Sequence, residues 1–544
     1  MNSSRTLYRK LAYLAGVAVL AFPLAWLGMP SSIKGNVEDA GGKLAQLRKD
    51  HRLGQSDLGA IDPASETIRL ATLGLRGVAV TMLWNKANEY KKTEDWTGFE
   101  ATLDQLARLQ PYFVKVWQYQ AWNLSYNLSV ELDNYRDRFY YVKQGIEYLE
   151  KGILYLRDNP VLLDDLGWFC GNKVGRADEH EFYRRLFRLD DELHQRTSRT
   201  PEERDNWLVS KEWYIKALQA VDSGKQSLGQ KNPTTFFDSP ARAQISYAEA
   251  IEEEGTFGDR ARSAWKEGGR LWREYGQREM KSTEDFMIRM VDLEMWEQRV
   301  IELKQQLDAL SPGLEKSMQE EALASLTPEQ RAVTGSPPGE LTAEQATAQQ
   351  EAAEKLNIGT VKIAARIAKD EPAKASQAQG LAQRIDAAQK RVFHISSNRD
   401  VANYKYWSIR CDLEQTQEAL QARALAHSAK IAFQEKGDPK AKDDYEKSFD
   451  LWAAALAKFP ELPADSSTGS DLLDVVGEYV KLLEQQDLSL EDPEVADRFP
   501  LWHIVRANDQ MNKFESAIKA YDARVTGVPA EGKTLINPAD ALLD

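Results

Sequence analysis

From Ser65 onward, apolar residues recur at three- and four-residue steps through most of a 544-residue chain, and no stretch carries the two-residue alternation of a half-buried strand. That pattern predicts an all-α fold, because each run presents one apolar stripe that only another helix can bury. Some helix starts are written out. In Thr200-Pro201-Glu202-Glu203 and in Thr327-Pro328-Glu329-Gln330, a threonine can cap, a proline suits the first turn, and an acid or amide three residues on can reach back. Pro160 and Pro240 are read as opening helices in the same way.

A chain of this length exceeds what one hydrophobic core serves, so two to four cooperative units or one extended array are expected. Hydrophobic residues at 42% and charged residues at 28% fit a folded body rather than a disordered one. The net charge of −14 leaves no basic excess to neutralise phosphates, which sets nucleic acid aside as a partner. The two cysteines, Cys170 and Cys411, lie far apart in helical patterns. They read as small buried residues rather than a disulfide or a metal cluster.

Helix pairs separated by short polar turns fill the region after residue 80. Ala87 and Ala121 stand 34 residues apart, with Leu83 and Tyr90 around the first and Trp117 and Leu124 around the second. KKTEDW makes the turn of the first unit, and its second helix, TGFEATLDQLARLQ, runs into Pro111. This resembles a tetratricopeptide repeat, with two departures: Phe99 stands where the second helix of that repeat carries alanine, and LSVELDNYRDR interrupts the period. Looser copies are read at 246–276 and at 425–460, where Phe449, Trp452, Ala453 and Leu456 mark one face. The region 65–280 also resembles uncharacterised membrane-anchored repeat proteins of planctomycete-type bacteria, in such strings as LGLRGVA, LQPYF and QAWNLSYN. The resemblance implies a TPR-like α-solenoid and brings no activity with it.

Residues 11–29 (LAYLAGVAVLAFPLAWLGM) are uncharged and long enough to cross a hydrocarbon layer ~30 Å thick as a helix. Arg5, Arg9 and Lys10 precede them. The expectation is therefore a single-pass inner (cytoplasmic) membrane protein with its N-terminus inside and the bulk of the chain extracytoplasmic. A cleaved signal peptide is the rival. The expected organisation is a tail and anchor at 1–33, a polar tether at 34–64, a first repeat lobe at 65–311, an Ala/Gln/Glu-rich connector at 312–385, a second lobe at 386–525 and a tail at 526–544. Residues 283–310 read as one amphipathic helix with Phe286, Met290, Leu293, Val300, Leu303, Leu307 and Leu310 near its stripe. That stripe suits packing on its own lobe or self-association.

The sharpest chemical string is Gly527-Val-Pro-Ala-Glu-Gly532-Lys533-Thr534, a literal G-x-x-x-x-G-K-[ST]. A working phosphate loop joins a buried strand to a helix, whereas a helical pattern precedes Gly527 and Pro538 follows closely, so a flexible tail is the expectation. Asp178-Glu179-His180-Glu181 gathers ligand-type side chains without the spacing of a zinc protease, and neither it nor His194 is read as a metal site. Asn123-Leu-Ser125 and Asn127-Leu-Ser129 fit the glycosylation sequon but sit in an aromatic helix. No cofactor is expected.

Residues 108–127, RLQPYFVKVWQYQAWNLSYN, crowd aromatics behind one proline. In a hairpin array that bulk packs between helices; interleaved amides would also suit a groove. Such a groove would be lined by Trp84, Asn85 and Asn88 with Trp117, Gln120, Asn123 and Asn127. The functional expectation is a non-catalytic membrane-anchored scaffold for other proteins. The alternatives are recognition of envelope peptide or glycan through the aromatic groove, and a nucleotide-binding enzyme using Gly527, Gly532, Lys533 and Thr534.

Overall fold

A computed structural model describes residues 76–526, apart from 158, 195–198, 225, 337–340, 437 and 439, together with 32–34, 37–39, 43 and 46. Among the described residues 22 helices, α1 to α22 in chain order, make the protein all-α and α-solenoid-like. The strands there form two short antiparallel pairs: β1 (Ser32–Lys34) with β2 (Val37–Asp39), and β3 (Met280–Lys281) with β4 (Met287–Ile288). One expectation is corrected. Among the described residues no helix is long and apolar enough to cross a membrane, so the transmembrane anchor, and the single-pass inner-membrane placement built on it, lose their support. Residues 11–29 themselves lie outside the described residues.

The chain divides into two compact units, one ending at Lys231 and the other beginning at Asn232. The first holds α1 (Arg76–Lys92), α2 (Trp96–Leu109), α3 (Val114–Trp122), α4 (Tyr135–Tyr155), α5 (Pro160–Trp168), α6 (His180–Leu189) and α7 (Asn206–Asp222). Helices pack in pairs, α1 on α2, α3 on α4, α5 on α7. Their caps explain where they begin. Asp95 accepts from the Gly98 amide at the start of α2, and Asn159 caps α5 with Pro160 in its first turn. At Thr200 the reach-back from Glu203 forms at 2.8 Å, yet the segment stays a turn and α7 starts at Asn206 under an Asp205 cap. Ala87 and Ala121 are both fully buried, which lets successive hairpins close on Leu103, Leu106, Val142 and Leu149. Gly145 serves the same closeness: a Cβ there would lie 2.1 Å from Ser125 Oγ and 2.8 Å from the Ala121 carbonyl.

In the second unit α8 (Pro233–Glu253) pairs with α9 (Asp259–Gln277), and their turn places Gly255 and Gly258 at φ 81° and 74°. Pro240 lies inside α8 rather than at its start; the opening position belongs to Pro233, capped by Asn232. The stripe expected as one helix over 283–310 is divided. Residues 280–288 form the β3–β4 hairpin, Met290–Asp292 is a 3-10 turn, and only α10 (Leu293–Asp308) is α-helical. Leu303 and Leu307 of α10 are buried against α15 (Ala375–Ala402).

Between them the Ala/Gln/Glu-rich segment folds into α11 (Leu314–Ala324), α12 (Pro328–Val333), α13 (Ala343–Leu356) and α14 (Thr360–Asp370), and Ile363 and Ile367 of α14 join the core of α10 and α15. The Thr327–Gln330 capping box opens α12. The remainder runs α16 (Tyr404–Glu414), α17 (Gln417–Lys436), α18 (Ala441–Ala457), α19 (Ser467–Gln485), α20 (Pro493–Ala496), α21 (Trp502–Asn508) and α22 (Glu515–Thr526). α17 pairs with α18, and Phe449, Trp452, Tyr479 and Trp502 fill the core they share with α19 and α21.

Candidate functional site

α3 and α5 end alike. Each closes on a tryptophan, Trp122 or Trp168, and each runs on into a π-helical segment, Asn123–Leu128 or Phe169–Lys173. A π turn carries one residue more than an α turn, so it rotates the side chains beyond it and frees carbonyls from the regular ladder; such bulges recur at functional sites. Here the freed groups find partners. The Asn206 amide donates to the Cys170 and Gly171 carbonyls at 3.1 Å each, and Ser129 Oγ donates to the Ser125 carbonyl. Gly171 admits the approach of α7, since a Cβ there would meet Ser210 Oγ at 2.7 Å and the Trp207 ring at 2.9 Å.

Three rings gather at these two helix ends: Trp122 and Trp168, exposed, on the last residues of α3 and α5, and Tyr126, half-buried, within the first π segment. Trp122 and Tyr126 stack with centroids 4.1 Å apart, Trp168 continues the stack at 6.1 Å from Trp122, and Tyr126 lies 5.6 Å from Trp168. Trp122 is 48% exposed and Trp168 36%, where buried indoles would be expected of a purely structural cluster. Lys173 Nζ sits 4.3 Å over the Tyr126 ring. Burial pushes the Tyr126 hydroxyl up and the Lys173 ammonium down.

A depression of about 290 Å³ is lined by Trp122 and Trp168 together with Gln118, Leu149, Asp165, Phe169 and Lys231. Gln118 Nε2 donates to Asp165 at 2.5 Å, while Gln118 Oε1 is buried and has no hydrogen-bond partner among the described residues. Lys231 Nζ donates to Asp165 at 2.8 Å and also to Asp164. Burial opposes the charge on Lys231, but Asp165 and Asp164 outweigh it and hold the ammonium protonated. The arrangement therefore offers flat apolar faces, one orphaned acceptor, and a fixed pair of charged groups.

The residues singled out in the sequence are divided by the fold. Trp117, Gln120 and Asn123 are 2%, 1% and 1% exposed and belong to the interior. Trp117 Nε1 donates to the Pro111 carbonyl at 2.8 Å, and its ring stacks on Tyr155. Asn127 is half-buried and donates to Asn123 Oδ1 at 3.1 Å. Trp84 lies edge-on to Tyr119 at 5.8 Å, with Asn85 and Asn88 exposed on the same helix. These seven do not converge on one cavity. Gly527, Gly532, Lys533 and Thr534 lie outside the described residues. His180 Nδ1 is 3.0 Å from the Ala177 carbonyl and His194 Nε2 is 2.8 Å from the Phe187 carbonyl, so both rings are held by backbone. Cys170 and Cys411 are free and buried. What the sequence reading missed was Trp168, whose partnership with Trp122 crosses two hairpins.

A separate hollow of about 310 Å³ on this unit contains Glu150, whose carboxyl is pushed up to about 7, by burial first and by Glu147 second, with Lys216 opposing. A carboxyl raised in the folded state favours the protonated form. Its ionisation therefore subtracts stability progressively as pH rises from near 4.5 through 7. Glu150→Gln is expected to match the parent chain near pH 4 and to exceed it by about 1–2 kcal/mol at pH 8, the full effect being reduced by contact with solvent. Urea unfolding at both pH values measures this.

No family model, no curated protein and no solved structure matches the chain.

Proposed function

We propose that this protein is a binding protein of helical-repeat type, similar to tetratricopeptide-repeat proteins, and that its first unit takes a glycan on the Trp122–Tyr126–Trp168 surface. The observation that supports this most is the stack of two exposed indoles and the half-buried Tyr126 ring beside an acceptor with no hydrogen-bond partner among the described residues. Sugar rings present C–H groups on one face and hydroxyls around the edge. Indole planes suit the first, and Gln118 Oε1, Asp165 and Lys231 suit the second. Asp165 is already engaged by Gln118 and Lys231, which favours a role in orienting hydroxyls over one in proton transfer.

Calorimetric titration of the full chain with soluble oligosaccharides tests the reading. Trp122→Ala and Trp168→Ala are each expected to weaken binding about ten- to a hundredfold, with the smaller loss of melting temperature at Trp122, the more exposed of the two rings. Affinity indifferent to both substitutions would sink the proposal. A second reading, a scaffold that docks other proteins, is favoured by a different patch: Phe113 and Tyr119, 42% and 46% exposed, flank Trp84 on α1.

A further inference from the structure

The second unit holds a cavity of about 530 Å³ where α8, α16, α17, α18 and α19 converge. Its inner wall contains Arg410 and Arg423, whose guanidinium groups are mostly engaged by acids; Arg410 Nε, 3.6 Å from Glu414, is buried with no hydrogen-bond partner among the described residues. Arg410 is paired with Glu249 at 3.0 Å and Asp471 at 3.1 Å, and Arg423 grips the fully buried Glu414 and faces Glu252 at 3.5 Å. Carboxylates remain in excess around the space. Glu253, Asp474 and Glu478 also line it, against Lys430 as the one further formal cation in its wall. Glu252 accepts from Trp265 Nε1 at 3.1 Å, and burial, the largest influence, raises its carboxyl to about 8 against the pull of Arg423, so it favours the protonated form until a cation arrives beside it.

A second feature belongs to the lining of the same space. Tyr445 lines the cavity, is 1% exposed, and its hydroxyl has no hydrogen-bond partner among the described residues. A buried orphan hydroxyl is costly unless something occupies the site beside it. Trp452 and Phe257 give the remainder of the wall an apolar, aromatic character. Carboxylates deep and at the mouth, aromatic faces between them and an unmatched hydroxyl together describe a complement to a cation with an aliphatic stem.

We infer that this cavity binds a linear aliphatic amine carrying more than one ammonium group, one end donating to Glu252 and Tyr445 Oη and the other held at the mouth by Glu253 and Asp474. An ammonium supplies three donors, enough for the deep acid and the orphan hydroxyl together. The same chemistry comes from a free polyamine or from a lysine side chain of a peptide, and the test separates them.

The full chain is titrated calorimetrically with spermidine, with 1,5-diaminopentane and with a short lysine-containing peptide. Spermidine is expected to bind, with affinity falling as salt rises. Tyr445→Phe, which keeps the ring, and the mouth variant Glu253→Gln with Asp474→Asn, which alters only exposed carboxylates, are each expected to weaken it about tenfold. Trp168→Ala should leave it unchanged. A peptide that outcompetes the diamine assigns the site to a lysine side chain, and the reverse order assigns it to a free polyamine; both uphold an ammonium site. Absence of binding by all three probes at millimolar concentration, equal heat from magnesium chloride, or affinity untouched by both variants overturns it.

Discussion

Arg184→Met is expected to destabilise the first unit by about 3–5 kcal/mol, the range for breaking a buried charge pair from one side. Arg184 and Asp205 are each 2% exposed and pair at 2.9 Å, and Arg184 also donates to Asn206 Oδ1. Both partners have second duties. Asp205 Oδ1 accepts from the Trp207 amide at the start of α7, and the Asn206 amide satisfies the two carbonyls of the Phe169–Lys173 π segment. Methionine fills much of the volume but takes from a buried carboxylate the cation held at 2.9 Å, with Arg188 standing farther off at 3.8 Å. Lysine should restore little, since one ammonium cannot reproduce the planar fork that reaches an acid and an amide together. Guanidinium unfolding followed by hydrogen exchange over 160–222 measures the loss. Because the same network steadies the segment after Trp168, Arg184→Lys should weaken oligosaccharide binding while Glu150→Gln does not.

Much of the helical order was legible in the chain. The three- to four-residue apolar steps predicted helices over 80–110, 246–276 and 425–460, where α1–α2, α8–α9 and α17–α18 stand. The stripe at 283–310 shows where periodicity misleads. Phe286 and Met290 fit a helical spacing with Leu293 and Val300, but the chain turns back at Asp285, at φ 66°, to make the β3–β4 hairpin. Seven apolar positions over two structures resemble seven on one. Pro240 misleads oppositely: it is buried in the interior of α8, although its ring gives no N–H to the helical ladder.

The candidate site was half legible. Trp122 and Tyr126 are four residues apart and so share a helical face, which the sequence states outright. Trp117 and Gln120 lie on the opposite face and went inward, and residue type alone could not separate the two sets, since both combine indoles with amides. No local rule marks a π segment, and no repeat period joins Trp168 to Trp122. The shared feature was visible only as a coincidence: tryptophan followed by a short run of small and amide residues, WNLSYN and WFCGNK.

Arg423→Met in the second unit should cost about 3–5 kcal/mol and, more tellingly, should do so in a pH-dependent way. Arg423 holds Glu414 through two parallel bonds, Nε to Oε2 at 2.7 Å and Nη2 to Oε1 at 2.5 Å. Burial pushes the Glu414 carboxyl up, but Arg423 and then Arg410 more than reverse this, and it stays below its ordinary value. A depressed carboxylate adds stability above its unfolded pKa and loses it as pH falls. Without Arg423 the fully buried Glu414 keeps Arg410 at 3.6 Å, and its carboxyl should rise toward the protonated form. The deficit of the variant is therefore largest near pH 7 and narrows toward pH 4, where Glu414 carries a proton and asks for no partner. Adding Glu414→Gln to Arg423→Met removes the orphaned charge in another way and should recover part of the loss at pH 7 while adding little at pH 4. Unfolding curves for the single and double variants at the two pH values measure this coupling; a deficit that stays constant with pH would mean that lost stacking on Trp452, 5.1 Å from the guanidinium, rather than the stranded carboxylate, sets the cost.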